Sequence, residues 1–236
     1  MRIDKSPAII SSMFDRIAPT YDRLNAALSL SMDSRWRKRV ISSLHIKDGD
    51  TVLDIATGTG DMASRACSTT GCTVIGMDIS PRMLEIAARK NREFGGRFRI
   101  TVGDATAMPF LNETFDHAMT AFGIRNMTDL PAFLDEARRV LKDGGNLAVL
   151  ELSVPSHLPW RWIYLTYFKV LLPYIGGLVS GDFKAYRYLR DSVMGFPSPA
   201  KLERLMEKRG FEVTRSFSQF FGIAHIYLLK KAIPQT

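Results

Sequence analysis

The stretch VLDIATGTGD, residues 52–61, decides the fold. An apolar strand runs into a glycine turn, and a helical segment follows over residues 60–69. Glycine at 58 and 60 lets the backbone approach a ligand without side-chain collision, and the helix behind it points its N-terminus at that ligand. The run Gly58-Thr59-Gly60-Asp61-Met62-Ala63 also satisfies the dinucleotide pattern G-x-G-x-x-G/A, so the turn alone does not choose a ligand.

Working outward, short apolar runs alternate with amphipathic segments. TVLDIA (51–56), CTVIGMD (72–78), FRITVGD (98–104), FDHAMTAF (115–122) and NLAVLEL (146–152) read as strands. Ser80 caps a helix with Pro81 at its first position. Asp129 and Pro131 open another, whose Phe133, Leu134, Ala137, Val140 and Leu141 share one face and which the pair Gly144-Gly145 ends. Such alternation implies right-handed crossovers and a doubly wound, mostly parallel sheet. Residues 199–209 read as a helix ending at Gly210, followed by a closing antiparallel pair, FEVTRSFS and GIAHIYLLKK. The expected α/β architecture has seven strands, an antiparallel C-terminal strand and a helical cap. Its parts are a helical leader or lid (1–44, helical from residue 9), a core (45–152), a cap (153–198) and a C-terminal helix with closing strands (199–236).

The whole chain sets limits. Its 236 residues, 46% hydrophobic and 24% charged, fit one full-sized globular domain. The formal net charge of +8 points to anionic surroundings: nucleic acid, an acidic substrate or a membrane face. No interleaved basic and aromatic strand pattern supports nucleic acid. Cys67 and Cys72 are the only cysteines, too few for a disulfide framework, and four scattered histidines build no metal site. The N-terminus lacks the apolar core of a secretory signal, so the chain reads as cytoplasmic. Residues 158–180 are apolar and aromatic but interrupted by Arg161, Lys169 and Pro173, which favours a cap over a membrane span.

Three carboxylates at strand ends choose the ligand. Asp54 is positioned to meet an ammonium, Asp78 ribose hydroxyls, and Asp104 with the amide of Ala105 an adenine edge. That set suits S-adenosylmethionine, whereas it would repel a pyrophosphate.

The chain resembles the ubiquinone/menaquinone biosynthesis C-methyltransferases over nearly its whole length. The resemblance rests on MFDRIAPTYDRLNAALSLSMDSRWR (13–37), DIATGTGD, GDATAMPF, AFGIRN, RRVLKDGGNLAVLE and LPYIGGLVSGDFKAYRYLRDSV (172–193). It implies a class I methyltransferase fold and transfer of a methyl group from S-adenosylmethionine to a ring carbon of a polyprenylated quinol, with demethylmenaquinol expected first. It implies cofactor contacts at Thr59 in the glycine turn Gly58–Gly60, at Asp78 and at Asp104-Ala105. Where some members have a serine before Phe-Gly, this chain has Ala121, which leaves only a backbone contact. It implies a catalytic role for Arg125 and Asn126; the alternative is an ion pair tying Arg125 to Asp22 or Asp129. The proton acceptor is left open among water, Asp182, Tyr186 and His225. Tyr21 and Asp22 either close over the cofactor or merely pack. The basic run 35–39 and Trp160-Arg161-Trp162 read as peripheral attachment to an anionic membrane or as a solvated helix face and a core edge. A homodimer is also open.

Overall fold

The computed structural model describes residues 4–155, 158–166 and 183–233. Three helices lead in: α1 (Pro7–Ile17), α2 (Tyr21–Ser29) and α3 (Met32–Leu44). The leader is helical as expected but broken, because Leu30 and Ser31 both take left-handed φ values of 51° and 58°. The core alternates β1 (Thr51–Ile55), α4 (Asp61–Thr69), β2 (Thr73–Asp78), α5 (Pro81–Lys90), β3 (Phe98–Val102), β4 (Phe115–Ala121), α6 (Leu130–Val140) and β5 (Leu141–Leu152). Then come α7 (Leu158–Thr166), α8 (Phe183–Met194), α9 (Pro199–Lys208), β6 (Phe211–Gln219) and β7 (Ala224–Lys231). Ser80 accepts from the amide of Met83 and Asp129 from that of Ala132, so both expected helix caps form.

The seven strands make one sheet in the order β3-β2-β1-β4-β5-β7-β6. All pairs are parallel except those of β7, which runs antiparallel to β5 and to β6. Helices cover both faces, which is why the central strands are apolar at successive positions rather than alternate ones. Val52, Met119, Ala148, Leu150 and Ile226 pack with α3 and α4 on one face. Leu53, Ala118, Leu147, Val149 and Tyr227 pack with α6 and α9 on the other.

One boundary differs from expectation. The helix before β5 ends at Val140, and the strand begins at Leu141 instead of Asn146. Pairing with β4 jumps from Phe115↔Leu141 to His117↔Asn146, so the glycine pair sits inside a bulge. A Cβ on Gly145 would come within 2.8 Å of the Lys142 carbonyl, so the bulge needs glycine there.

Of the cap, α7 and α8 are described, and Tyr164 and Val193 pack with Leu24 of α2 over the end of the sheet. Residues 167–182 lie outside the described residues.

Candidate functional site

Strand order reverses between β1 and β4, so the connections leaving their C-terminal ends diverge and open a crevice. The glycine turn lies there. Ala56, Gly58 and Gly60 have φ of 54°, 55° and 82°, and the two glycines serve different purposes. A Cβ on Gly58 would meet only Tyr21 Cε1, at 3.9 Å, on the crevice side. One on Gly60 would strike Asn91 Nδ2 at 2.6 Å, so Gly60 is there for close packing on α5.

Gly58, Asp78, Asp104, Ala105, Ala121 and Asn126 line one cavity in this crevice. Asp78 accepts from the amides of Gly58 (2.8 Å) and Ser80 (2.9 Å), which joins the ends of β1 and β2; burial raises its pKa. Asp104 accepts from the amide and hydroxyl of Thr106, both at 2.8 Å on Oδ1.

Three expected cofactor residues lie outside this wall: Gly60, packed on α5, and two more. Asp54 is buried behind the turn, where it accepts from Thr57 Oγ1 (2.6 Å) and the Ala63 amide (3.2 Å) and is not part of the cavity wall. Burial pushes its carboxyl up to about 7. Thr59 donates to Asp22 Oδ1 (2.6 Å), and Lys90 bonds both Asp22 (2.8 Å) and Asp61. Thr59 thus holds α2 down on the glycine turn.

The leader is fastened at further points. Ser11 donates to the Ile79 carbonyl (3.0 Å), Ser80 to Asp15 (2.5 Å) and Thr128 to the Lys5 carbonyl (2.7 Å). Lys5, Ile10, Phe14 and Tyr21 accordingly roof the crevice.

A second cavity, of about 160 Å³, lies beside the first. Its wall is mostly apolar, including Met13, Leu24, Trp36, Leu152, Tyr164 and Ile223. Phe14, Tyr21 and Phe122 line both cavities, so the two meet there. Phe122 has φ of 61°, rare for a bulky residue, and its amide donates to the Leu150 carbonyl at 2.7 Å.

Arg125 forms part of this apolar wall and is only 6% exposed. It pairs with Glu151, not with Asp22 or Asp129: Nη1 donates to Oε1 (2.9 Å) and the Arg125 amide to Oε2 (3.0 Å). Nη1 also donates to the Phe122 carbonyl. The Nε–H is buried and has no hydrogen-bond partner among the described residues. Asn126 lines the other cavity; its Oδ1 accepts from Tyr188 at 3.0 Å, and Tyr188 lines the apolar one. Arg125 and Asn126, neighbours in sequence, therefore belong to adjoining cavities.

A second buried pair, Asp33 and Arg37, lines the same apolar cavity, with the Arg37 guanidinium 5.3 Å from the Phe122 ring centroid. Within the basic run 35–39, Trp36 and Arg37 are buried and line this cavity, whereas Arg35, Lys38 and Arg39 are exposed. Burial raises the pKa of Tyr21 although Arg125 and Arg37 oppose it, and raises that of Tyr188 to about 12. His225 bonds Ser216 Oγ at 2.7 Å and lines neither cavity, so it is no proton acceptor for a ligand there. Asp182 and the side chain of Tyr186 lie outside what is described.

The profile of the ubiE/COQ5 methyltransferase family matches residues 2–231. The chain belongs to the ubiE/COQ5 methyltransferase family. A demethylmenaquinone methyltransferase of Thermus thermophilus is 43% identical, over 92% of this chain and 98% of its own. A ubiquinone/menaquinone biosynthesis C-methyltransferase of Geobacter sulfurreducens is 41% identical over 98% and 92%. A solved geranyl diphosphate methyltransferase in complex with SAM shares the fold at a TM-score of 0.62 and 17% identity, covering 84% of this chain and 85% of that one.

In this methyltransferase, Glu151, Tyr188 and Asp33 carry no mark in the sequence reading, and Arg37 only that of the basic run. One signal for Glu151 existed: a lone carboxylate in the apolar run NLAVLEL, on the strand beside the one that leads to Arg125. Among the described residues, no helix is long and apolar enough to cross a membrane.

Proposed function

We propose that this chain methylates a ring carbon of a polyprenylated quinol, demethylmenaquinol first of all. As a member of its family it is a methyltransferase that draws on S-adenosylmethionine. The observation that carries the substrate reading is the buried, unpaired Nε–H of Arg125, a residue in the wall of a mostly apolar cavity. Leaving such a donor unmet costs about 1–3 kcal/mol. An anionic ring oxygen would satisfy it, and the apolar remainder suits a prenyl chain.

The residues present fit the cofactor. Gly58 leaves its crevice side open, as shown by the single distant neighbour a Cβ would meet, and Asp78 and Asp104 bring acceptors for ribose and adenine. Bound there, S-adenosylmethionine supplies a methyl group on a sulfonium centre. Arg125 holds the quinol oxygen and stabilises it as the ring becomes electron-rich. Glu151 fixes the guanidinium so that no reorganisation is needed at the moment of reaction. Asn126, tied to Tyr188, spans the junction of the cavities and orients the ring. Tyr21 and Tyr188 keep their protons near neutrality, so neither serves as a resting base. The leader and cap exclude water, which favours the step because quinolate and sulfonium charges annihilate. A bound cofactor would supply the methyl group to the ring carbon, its sulfur keeping the bonding pair, and the ring proton displaced would pass to water at the mouth of the cavity. Asp54 and Thr59 support the turn in this reading and do not touch the cofactor.

A benzoquinol is the second reading, because the Geobacter relative carries both pathway names. Since a polyprenyl quinol resides in a bilayer, the proposal includes peripheral association with an anionic membrane face. Incubation with methyl-labelled S-adenosylmethionine and either quinol tests it. Label in the demethylated naphthoquinol is expected, label only in the benzoquinol favours the second reading, and label in neither defeats both.

A further inference from the structure

The cavity bearing Arg125 ends at an aromatic surface that the reaction does not use. In α7, Leu158, Trp160 and Trp162 are 69%, 40% and 70% exposed. In the tight turn joining β6 to β7, Phe220 and Phe221 are 48% and 50% exposed. The segments lie side by side: the Trp160 and Phe221 rings stack at 4.0 Å with 12° between their planes. Ser153 holds the turn from below through its hydroxyl to the Gly222 carbonyl (2.7 Å) and its amide to the Ile223 carbonyl (2.9 Å). Phe220 and Phe221 take left-handed φ values of 39° and 56°, a conformation bulky residues rarely adopt. The turn therefore spends backbone energy to present two phenyl rings to solvent, and a clustered apolar patch of this kind marks an interaction site.

The surroundings select the partner. No aspartate or glutamate occurs in residues 34–47, 153–166 or 213–224. Arg161 stands exposed between the two tryptophans. Arg39 donates to Gln219 at 2.8 Å, directly before Phe220, and Arg35 lies exposed one helical turn from it. Aromatic rings edged by arginine match the interface of an anionic bilayer, where rings settle at headgroup level and cations meet lipid phosphates. A self-complementary contact between two copies would instead set these cationic rims against each other. The patch is also continuous with the cavity: Tyr164, one turn beyond Trp160, and Ile223, three residues beyond Phe220, both line it.

We propose that the Trp160–Trp162 face of α7 and the Phe220–Phe221 turn together form the surface by which the protein docks on an anionic lipid bilayer, with its apolar cavity opening toward the acyl phase. This rests on the lipid-quinol reading and assigns its membrane contact to particular side chains.

The test is co-sedimentation of the full chain with vesicles of phosphatidylglycerol and phosphatidylcholine, compared with phosphatidylcholine alone. The wild type is expected to bind the anionic vesicles in a salt-sensitive way. Trp162→Ser combined with Phe220→Ser should weaken that binding about tenfold or more, with an unchanged melting temperature and unchanged methylation of a short-tailed, water-soluble quinol. Arg161→Glu, a single exposed change, should remove the preference for anionic lipid. Wild-type binding by the double variant overturns the proposal. So does a wild type that ignores vesicles and forms a dimer which the variant splits. Vesicle binding that responds to the variants, with no quinol methylated, supports the surface while defeating the quinol reading.

Discussion

Arg125 takes its orientation from Glu151, a residue 26 positions away on the neighbouring strand, which is 1% exposed. Removing one partner of such a pair strands the other, at about 3–5 kcal/mol. Arg125→Ala should therefore lower the melting temperature as well as turnover, and Arg125→Ala with Glu151→Gln should restore the first and not the second. We expect kcat to fall about 10²–10³-fold in both, with S-adenosylmethionine affinity nearly intact by calorimetry; equal loss of affinity and turnover would assign Arg125 a structural role. Asp54 gives a pH signature. With its carboxyl raised from 3.8 to about 7, the folded protein holds that proton more tightly than the unfolded chain. Its stabilising contribution is complete below the unfolded value and is lost as pH rises through about 7, at roughly 1.4 kcal/mol per unit. Asp54→Asn should flatten the decline in melting temperature between about pH 4 and about pH 7. At this scale Asp78, Asp104 and Arg125 were legible because strand ends announce themselves, whereas Glu151 was not, since its role exists only across a strand pair.

The glycine turn shows what an element adds to its residues. Gly58 and Gly60 look alike in the motif, yet one leaves room for a ligand and the other for Asn91. Gly60→Ala should lower the melting temperature markedly, because the added Cβ meets a packed side chain at 2.6 Å. Gly58→Ala should pay only the left-handed strain, about 1–2 kcal/mol, while losing most of its affinity for S-adenosylmethionine. Equal melting temperatures in the two variants would show that the packing distinction is wrong. Strands, helix caps and the closing hairpin were readable from apolar runs and capping residues. The bulge at Gly144-Gly145 was not, because a glycine pair after a helix signals its end equally well, and only pairing with β4 shows that the strand had already begun.

For the whole molecule, the alternation of strands and helices conveyed the topology, and the family likeness extends over the same span. Less legible was the division of the interior into two cavities, since their linings come from segments more than a hundred residues apart. Both are roofed by the same leader, with Phe14 and Tyr21 in each wall and Asp15 and Asp22 as its fasteners. A shared roof couples the two cavities, so a ligand that settles one is expected to change how the other is filled. Initial-rate plots should display a compulsory order of addition, with S-adenosylhomocysteine competing against one substrate alone. Weakening a fastener, as in Asp22→Ala, should relax that order toward random while leaving the ring chemistry in place.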